Sequence, residues 1–368
     1  MQVPPRLYVA ASSQHVGKTT TTLGLFASLQ ALGLDTGYCK PVGQKFIEYQ
    51  GERVDKDAHL FASFFDFELQ KPFHSPVVLG PGVVARHLDG APTDSLEQRV
   101  MAADEELQNR HDTVVYEGTG HPGVGSAIGM SNADVAATLA AEVVMVVEAG
   151  IGKTLDQFAL NASLFRARGV GIAGVVVNKA RPDKLEKIRH YVGRDLQRQG
   201  IPLLGIVPYE ARLGLPQVQT LQQEIGAECW LHRDELHRPF HDLLSSHSLE
   251  QVHKHPLKEW LLVVGDRQVS RCLNHFQEMA QQAPAAPSPL AGILVAGDEP
   301  CLTRENLKYL HQHRTPVLIT SMDTYAVVLN YGNLKVKMNA RTPWKMKQAI
   351  SLFRQHVDLQ PLLEKVRR

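Results

Sequence analysis

Lys18 and Thr19, in the run Gly17-Lys18-Thr19-Thr20-Thr21-Thr22, are the residues whose types and spacing most clearly point to chemistry. An ammonium next to a hydroxyl at a helix start suits a polyphosphate carrying a divalent cation. Backbone N–H groups of the loop and first helical turn cradle the phosphates, Lys18 reaches the terminal ones, and Thr19 ligates Mg²⁺. The apolar run Leu7–Ala11 before the loop supplies the strand such a loop needs. One position departs from G-x-x-x-x-G-K-[ST]: Ser12 stands where the first Gly belongs, and no Gly precedes Gly17 in the loop.

Further charged residues stand where strands end. Lys40 opens Lys40-Pro41-Val42, Asp57 lies in Val54-Asp55-Lys56-Asp57-Ala58, and Glu117 closes Thr113-Val114-Val115-Tyr116 and is followed by Gly118-Thr119-Gly120. A carboxylate at a strand tip beside a phosphate loop is suited to a Mg²⁺ ligand. The glycines after Glu117 allow backbone to approach a ligand closely. Each residue also has a plainer reading: Lys40 as a solvated strand-end lysine, Asp57 as a surface acid, Gly-Lys-Thr as an ordinary helix start.

The elements that must position these residues follow from hydrophobic pattern. Leu7–Ala10, Thr36–Cys39, Thr113–Tyr116, Val143–Val147, Val175–Val177 and Leu203–Val207 are apolar with little alternation, as parallel strands buried on both faces require. Helical stretches such as Thr19–Leu32 and Lys184–Gln199 fall between them. The expected fold is α/β, a doubly wound, mostly parallel sheet with ligands at the carboxyl ends of its strands, plus a second, smaller α/β domain. Residues 1–215 form the first domain and 216–335 the second. The second holds a short amphipathic helix at 217–226, a polar, His-rich, irregular stretch at 231–258, and strands Trp260–Val264, Ile293–Val295 and Val317–Thr320. A helix near Ser270–Gln281, a Pro/Ala loop at Ala283–Pro289, and a helix Thr303–His311 with Thr303 as N-cap lie between or beside them. Residues 336–368 are set apart as a helical tail around Pro343–His356.

Composition excludes several classes. The 368 residues are 43% hydrophobic and 21% charged with a formal net charge of +1, which gives no reason to expect nucleic acid or an anionic membrane as partner. No apolar run reaches membrane-spanning length, and the N-terminus Met1-Gln2-Val3-Pro4-Pro5 lacks a signal-peptide pattern. Cys39, Cys229, Cys272 and Cys301 are dispersed without a C-x-x-C pair, as in a reduced, cytoplasmic protein. His232, His237, His241 and His247 cluster, but Pro239 disfavours a helix that would align His237 with His241. That stretch is read as a solvated connection.

Taken in order, Val16-Gly17-Lys18-Thr19, Gly37–Val42, Asp57-Ala58, Glu117-Gly118, Val177-Asn178 and Gly205-Ile206-Val207-Pro208 resemble dethiobiotin synthetase, and equally the N-terminal region of long-form phosphotransacetylases, over roughly residues 5–210. The resemblance implies ATP and Mg²⁺ as cofactors. It implies catalytic roles for Lys18, Lys40 and Glu117, with Lys40 contacting a substrate amine or carbamate. It places nucleotide on Ser13, His15, Val16, Gly17, Lys18, Thr19, Thr20, Asn178 and Pro208, with Asn178 on adenine, and metal on Thr19, Asp57 and Glu117. Gly43-Gln44, and Thr119 and His121 within Glu117-Gly118-Thr119-Gly120-His121, depart from the synthetase pattern, which implies a nucleotide site kept and a diaminopelargonate pocket altered.

Val263–Arg267, Gly292–Gly297 and Thr315–Ile319 resemble a DRTGG domain, the module that follows the synthetase-like domain in long phosphotransacetylases. That resemblance implies a regulatory or oligomerising role and a homo-oligomer; Asp266-Arg267 is read as a structural ion pair. Few residues follow, so acetyl transfer is not expected from this chain alone. Three functions stay open: a nucleotide-binding regulatory ATPase answering a small-molecule effector, an ATP-dependent ligase acting on a carboxylate or amine, and an interaction module with a vestigial loop.

Overall fold

The computed structural model describes residues 5–90, 94–254, 259–282, 288–334, 338 and 342–364. Met1–Pro4, His255 and the Ala283–Pro287 part of the Pro/Ala segment lie outside the described residues. The chain divides into two compact units, residues Met1–Glu210 with Thr342–Arg368, and Ala211–Arg341.

The first unit is built on a six-stranded parallel sheet. Its order is Leu203–Pro208, Ile172–Ala180, Glu142–Glu148, Arg6–Ala11, Thr113–Glu117, Thr36–Cys39. All six expected strands are present, and Val143–Val147 and Val175–Val177 are buried throughout, which explains their lack of alternation. The chain crosses from Arg6–Ala11 (β1) through Lys18–Ala31 (α1) to the edge strand Thr36–Cys39, and Thr113–Glu117 then enters between the two. The carboxyl end of β1 therefore lies at the point where strand order reverses, the usual ligand crevice of such sheets.

A hairpin pairs Phe46–Tyr49 with Glu52–Asp55 across Gln50 and Gly51, which have φ of 51° and 79°. Two positive φ values in a two-residue loop match the twist of antiparallel strands. The hairpin delivers Asp55 as N-cap of the helix Lys56–Phe65, its side chain accepting the Asp57 N–H at 2.8 Å.

Helix α1 buries Leu23, Gly24, Leu25 and Phe26 in succession, so it is covered all round. The sheet covers one side. The other is covered by the helix Pro343–His356, which the sequence alone set apart as a tail. The structure corrects that expectation: a Cβ on Gly24 would lie 2.2 Å from the Phe353 ring, and the Arg354 guanidinium donates to the Ala27 carbonyl at 2.6 Å. The Asp358 N–H then donates to the Leu204 carbonyl at 2.8 Å, closing this terminus over the edge strand.

In the second unit Asp242–Ser245, Trp260–Gly265, Leu290–Ala296 and Val317–Thr320 run parallel in that order, and Glu228–Leu231 pairs antiparallel at the far edge. The His-rich stretch is therefore not wholly irregular. Leu244 is buried in one core cluster while its neighbour Leu243 packs against the other, and together they draw Asp242–Ser245 into an edge strand, a pair of apolar residues too short to read as a strand in sequence. Thr303 caps Arg304–His313 in a capping box with Asn306. The helix Thr324–Gly332 went unread in the sequence; Asp323 caps it, accepting the Ala326 N–H at 2.7 Å.

Phe353→Ala should cost about 3–5 kcal/mol of stability, as large-to-small changes in a packed core do. Chemical denaturation followed by circular dichroism checks this, and a change below about 1 kcal/mol would show that the helix Pro343–His356 is not part of the core of the first unit.

Candidate functional site

The strand β1 ends in a loop whose backbone is tightly held. The Ser12 N–H donates to the Val146 carbonyl at 2.9 Å, and Ser12 is buried. Its small side chain fits where the usual pattern has Gly. Ser13 is exposed and its hydroxyl reaches only the Gln14 carbonyl at 3.4 Å. His15 takes a φ of 64°, and Gly17 a φ of 99° as N-cap of α1. Gly17 is required twice over: by that φ, and because a Cβ there would lie 2.0 Å from the Asn178 amide nitrogen. Gly17 offers no side chain to cap α1, and no acidic residue stands in the first turn. The first-turn N–H groups and their partial positive charge are thus suited to an anion. Thr20 turns its hydroxyl back to the Gly17 carbonyl at 2.5 Å, so it supports the loop from within.

Lys18, Thr19, Lys40, Asp57 and Glu117 come together. The Thr19 hydroxyl donates to Glu117 Oε1 at 2.8 Å. The Lys40 ammonium donates to Asp57 Oδ2 at 3.1 Å and to the Gly118 carbonyl at 2.8 Å, and stands 3.5 Å from Glu117 Oε1. Lys18 Nζ points at the Gly120 carbonyl at 3.5 Å. Glu117 is fully buried and Lys40 nearly so, while a third of the Asp57 side chain is exposed. The plain reading of Lys40 as a solvated lysine is therefore wrong: its stem runs inward because a buried carboxylate waits there.

Burial sets the electrostatics. It pulls the Lys18 ammonium down to about 8, and the nearby Lys40 charge pulls the same way. Burial also works against charge on Lys40, but Glu117, Asp57 and Asp55 outweigh it and hold Lys40 above its ordinary range. Burial raises Glu117 despite the opposing pull of Lys40, and lifts Asp55 to about 6.

Several supporting residues carried no motif in the sequence. Tyr38 donates to Glu117 Oε2 at 3.2 Å and stacks on Phe61 at 3.8 Å. Asn132 accepts from the Tyr8 hydroxyl at 2.8 Å and from the Thr119 N–H at 2.8 Å, and donates to the Thr119 and His121 carbonyls at 2.7 and 2.6 Å. It thereby fixes the Gly-rich turn after Glu117. The Lys40 N–H donates to the carbonyl of buried His74 at 2.9 Å. Asp55, two residues before Asp57, was also given no role from sequence; its place as an Asp capping the helix Lys56–Phe65 is the one signal that could have found it.

Asn178 lies against the loop rather than in the crevice, donating to the Val16 carbonyl at 2.8 Å. Val16 is buried. Pro208 ends the outer strand, opposite Ala180. Asn178 and Pro208 thus share the carboxyl edge of the sheet, but Pro208 belongs to the outermost strand while the charged cluster gathers at the ends of β1, Thr36–Cys39 and Thr113–Glu117.

A magnesium ion suits the donors present. Octahedral Mg²⁺ with bonds of about 2.0–2.1 Å places adjacent ligands about 3 Å apart, which is close to the Thr19–Glu117 separation, and it keeps waters toward any further carboxylate. In the second unit, the Asp266 carboxylate accepts the Arg267 backbone N–H at 2.7 Å, and no ion pair between their side chains occurs among the described residues. That corrects the ion-pair reading: an Asp at a strand end satisfies the nearest backbone donor first.

Lys40→Met should destabilise the protein by about 3–5 kcal/mol at neutral pH, because it leaves buried Glu117 unpaired. Adding Glu117→Gln should recover most of that loss in a double-mutant cycle read by urea denaturation; additive losses would show that the two charges do not depend on each other. A pH dependence follows from His74, which burial lowers to about 4 from an ordinary 6.5. The unfolded chain binds the proton more readily, so stability should fall as pH drops from about 6.5 toward 4. His74→Asn should flatten that part of the stability–pH curve, and an unchanged slope would remove His74 as its source.

Residues 5–217 match the family model described as an AAA domain. The ATP-dependent dethiobiotin synthetase BioD of Anaeromyxobacter sp. is 29% identical over 225 residues, 60% of this chain and 97% of that protein. BioD of Rhodococcus erythropolis is 32% identical over 220 residues, 58% of this chain and 92% of that protein. The phosphate acetyltransferase of Nitrosomonas europaea is 25% identical over 311 residues, 80% of this chain but 41% of that protein, so this chain spans less than half of that relative. The family match takes in the phosphate loop, Lys40, Asp57, Glu117 and Asn178, and the chain belongs to this AAA-domain family, as a P-loop NTPase with dethiobiotin synthetase and phosphate acetyltransferase homologues.

Proposed function

We propose that the chain binds ATP with Mg²⁺ in the first unit and acts as a slow regulatory ATPase whose nucleotide state is reported through the second unit to a small-molecule effector response. The observation that carries the reading is the convergence of Lys18, Thr19, Lys40, Asp57 and Glu117 at the carboxyl end of one parallel sheet. Lys18 and the first-turn N–H groups of α1 hold the phosphates; Thr19, Glu117 and Asp57 hold Mg²⁺ directly or through water. Bound Mg²⁺ supplies charge neutralisation on the phosphate oxygens. Lys40 adds a fixed positive charge that its buried partners keep in place, and Tyr38 and Asn132 keep Glu117 and the following turn from shifting. Support for the regulatory half comes from the phosphate acetyltransferase match, whose 80% coverage reaches beyond the first unit. The DRTGG-like role and a homo-oligomeric, cytoplasmic state belong to the same proposal.

A second reading has its own observation. The Lys40 ammonium stands amid the carboxylates of the site, where it can orient a substrate carboxylate or carbamate for activation by phosphoryl transfer, as in an ATP-dependent ligase. The relatives named as ATP-dependent dethiobiotin synthetases favour this chemistry.

Titration calorimetry with ATP and Mg²⁺ tests the binding. Lys18→Ala should weaken ATP by about 10- to 100-fold, the worth of one charge-assisted hydrogen bond. Equal affinity in both proteins would sink the proposal. ADP release measured with and without diaminopelargonate and bicarbonate separates the two readings: release indifferent to substrate fits the regulatory ATPase, and stimulated release fits the ligase.

A further inference from the structure

The phosphate loop contains a strained residue and no glycine before Gly17. His15 holds φ at 64°, a region that side chains avoid, so something outside the loop must fix it there. Two adjacent residues at the end of the strand Ile172–Ala180 make that contact. Asn178 donates its amide N–H to the Val16 carbonyl at 2.8 Å. Lys179 donates its ammonium to the His15 carbonyl at 2.5 Å. The Asn178 amide oxygen accepts the Lys179 N–H at 2.9 Å, which joins the two contacts into one unit. Lys179 itself has a φ of 61°, so the backbone there is bent in a way a β-strand residue would not choose unaided. The Asn178 amide is buried and fills the space where a side chain on residue 17 would stand.

We propose that Asn178 and Lys179 are positioning residues for the phosphate loop, holding the His15 and Val16 carbonyls back so that the loop N–H groups face a polyphosphate. The proposal rests on the nucleotide-binding reading and gives Asn178 a loop-holding role distinct from the adenine role expected for it. Both ends of the Asn178 side chain are engaged with backbone, and its contact is with the loop that carries the phosphates. The pair thereby does the work that glycines do elsewhere in such loops. Glycine lets a loop adopt positive φ at no cost; here the conformation is imposed from the neighbouring strand by two hydrogen bonds, one of them charge-assisted. A base contact and a loop contact predict different ligand dependence, because a loop contact acts on any polyphosphate and a base contact only on one that carries a base.

The test compares wild type with Asn178→Ala and Lys179→Gly, the latter removing the ammonium while keeping a residue at ease with positive φ. Hydrogen–deuterium exchange of the ligand-free proteins should show faster exchange over residues 12–18 in both variants, with melting temperatures little changed. Calorimetry should show the affinities for inorganic tripolyphosphate and for ATP falling together, by roughly tenfold, the worth of one such hydrogen bond. Loss of ATP affinity with tripolyphosphate affinity intact would overturn the proposal in favour of an adenine contact. Unchanged exchange over residues 12–18 in both variants would also overturn it. Wild type binding neither ligand would refute the nucleotide reading instead, and the exchange measurement would then decide on its own whether the pair holds the loop.

Discussion

The buried charge cluster of Lys40, Glu117 and Asp57 is the constraint on which the first unit depends. An isolated carboxylate as deep as Glu117 would be costly to ionise, and an isolated buried ammonium equally so. Each makes the other tolerable, and the remaining donors and acceptors are satisfied around them: Thr19 and Tyr38 donate to Glu117, and the Gly118 carbonyl takes a Lys40 proton. Such a cluster adds little net stability over an apolar core. Its consequence is geometric, because it tolerates only one arrangement of three strand ends and the first turn of α1.

Strand order makes that arrangement possible. Thr113–Glu117 lies between β1 and Thr36–Cys39, so Glu117 has the phosphate loop on one side and Lys40 on the other. A short hairpin then brings Asp55 and Asp57 over the same edge, with Gly43 leaving room for the Asp55 carboxylate, which a Cβ at that position would approach to 2.4 Å. The carboxylates arrive by two separate routes, one on the sheet and one on a helix N-terminus. Their meeting is therefore a property of the fold and not of any short stretch of chain.

Much of this was legible in the residues. The six strands of the first sheet stand out as apolar runs because parallel strands covered on both faces need no polar side. Lys18 and Thr19 were legible because phosphate loops couple residue type to a local strand–loop–helix geometry. The supporting shell was not. Tyr38 and Asn132 look like ordinary strand and helix residues, and their partners are 79 and 124 residues away in the chain. The place of the helix Pro343–His356 was hidden for a similar reason: Gly24 and Phe353 fit together across most of the sequence, and neither carries a local signal of the other.

What the sequence by itself determined was a local matter: a loop built for phosphate, carboxylates at strand ends, and the alternation of strand and helix that implies a doubly wound sheet. Each of these depends on residues within one element, where side-chain type, backbone preference and hydrophobic period act together. Tertiary structure alone decided that Lys40 is buried among carboxylates, that Asn178 and Lys179 lie on the loop, and that the helix Pro343–His356 completes the cover of α1. Those outcomes depend on desolvation and close packing between distant segments, and neither exists until the sheet has assembled.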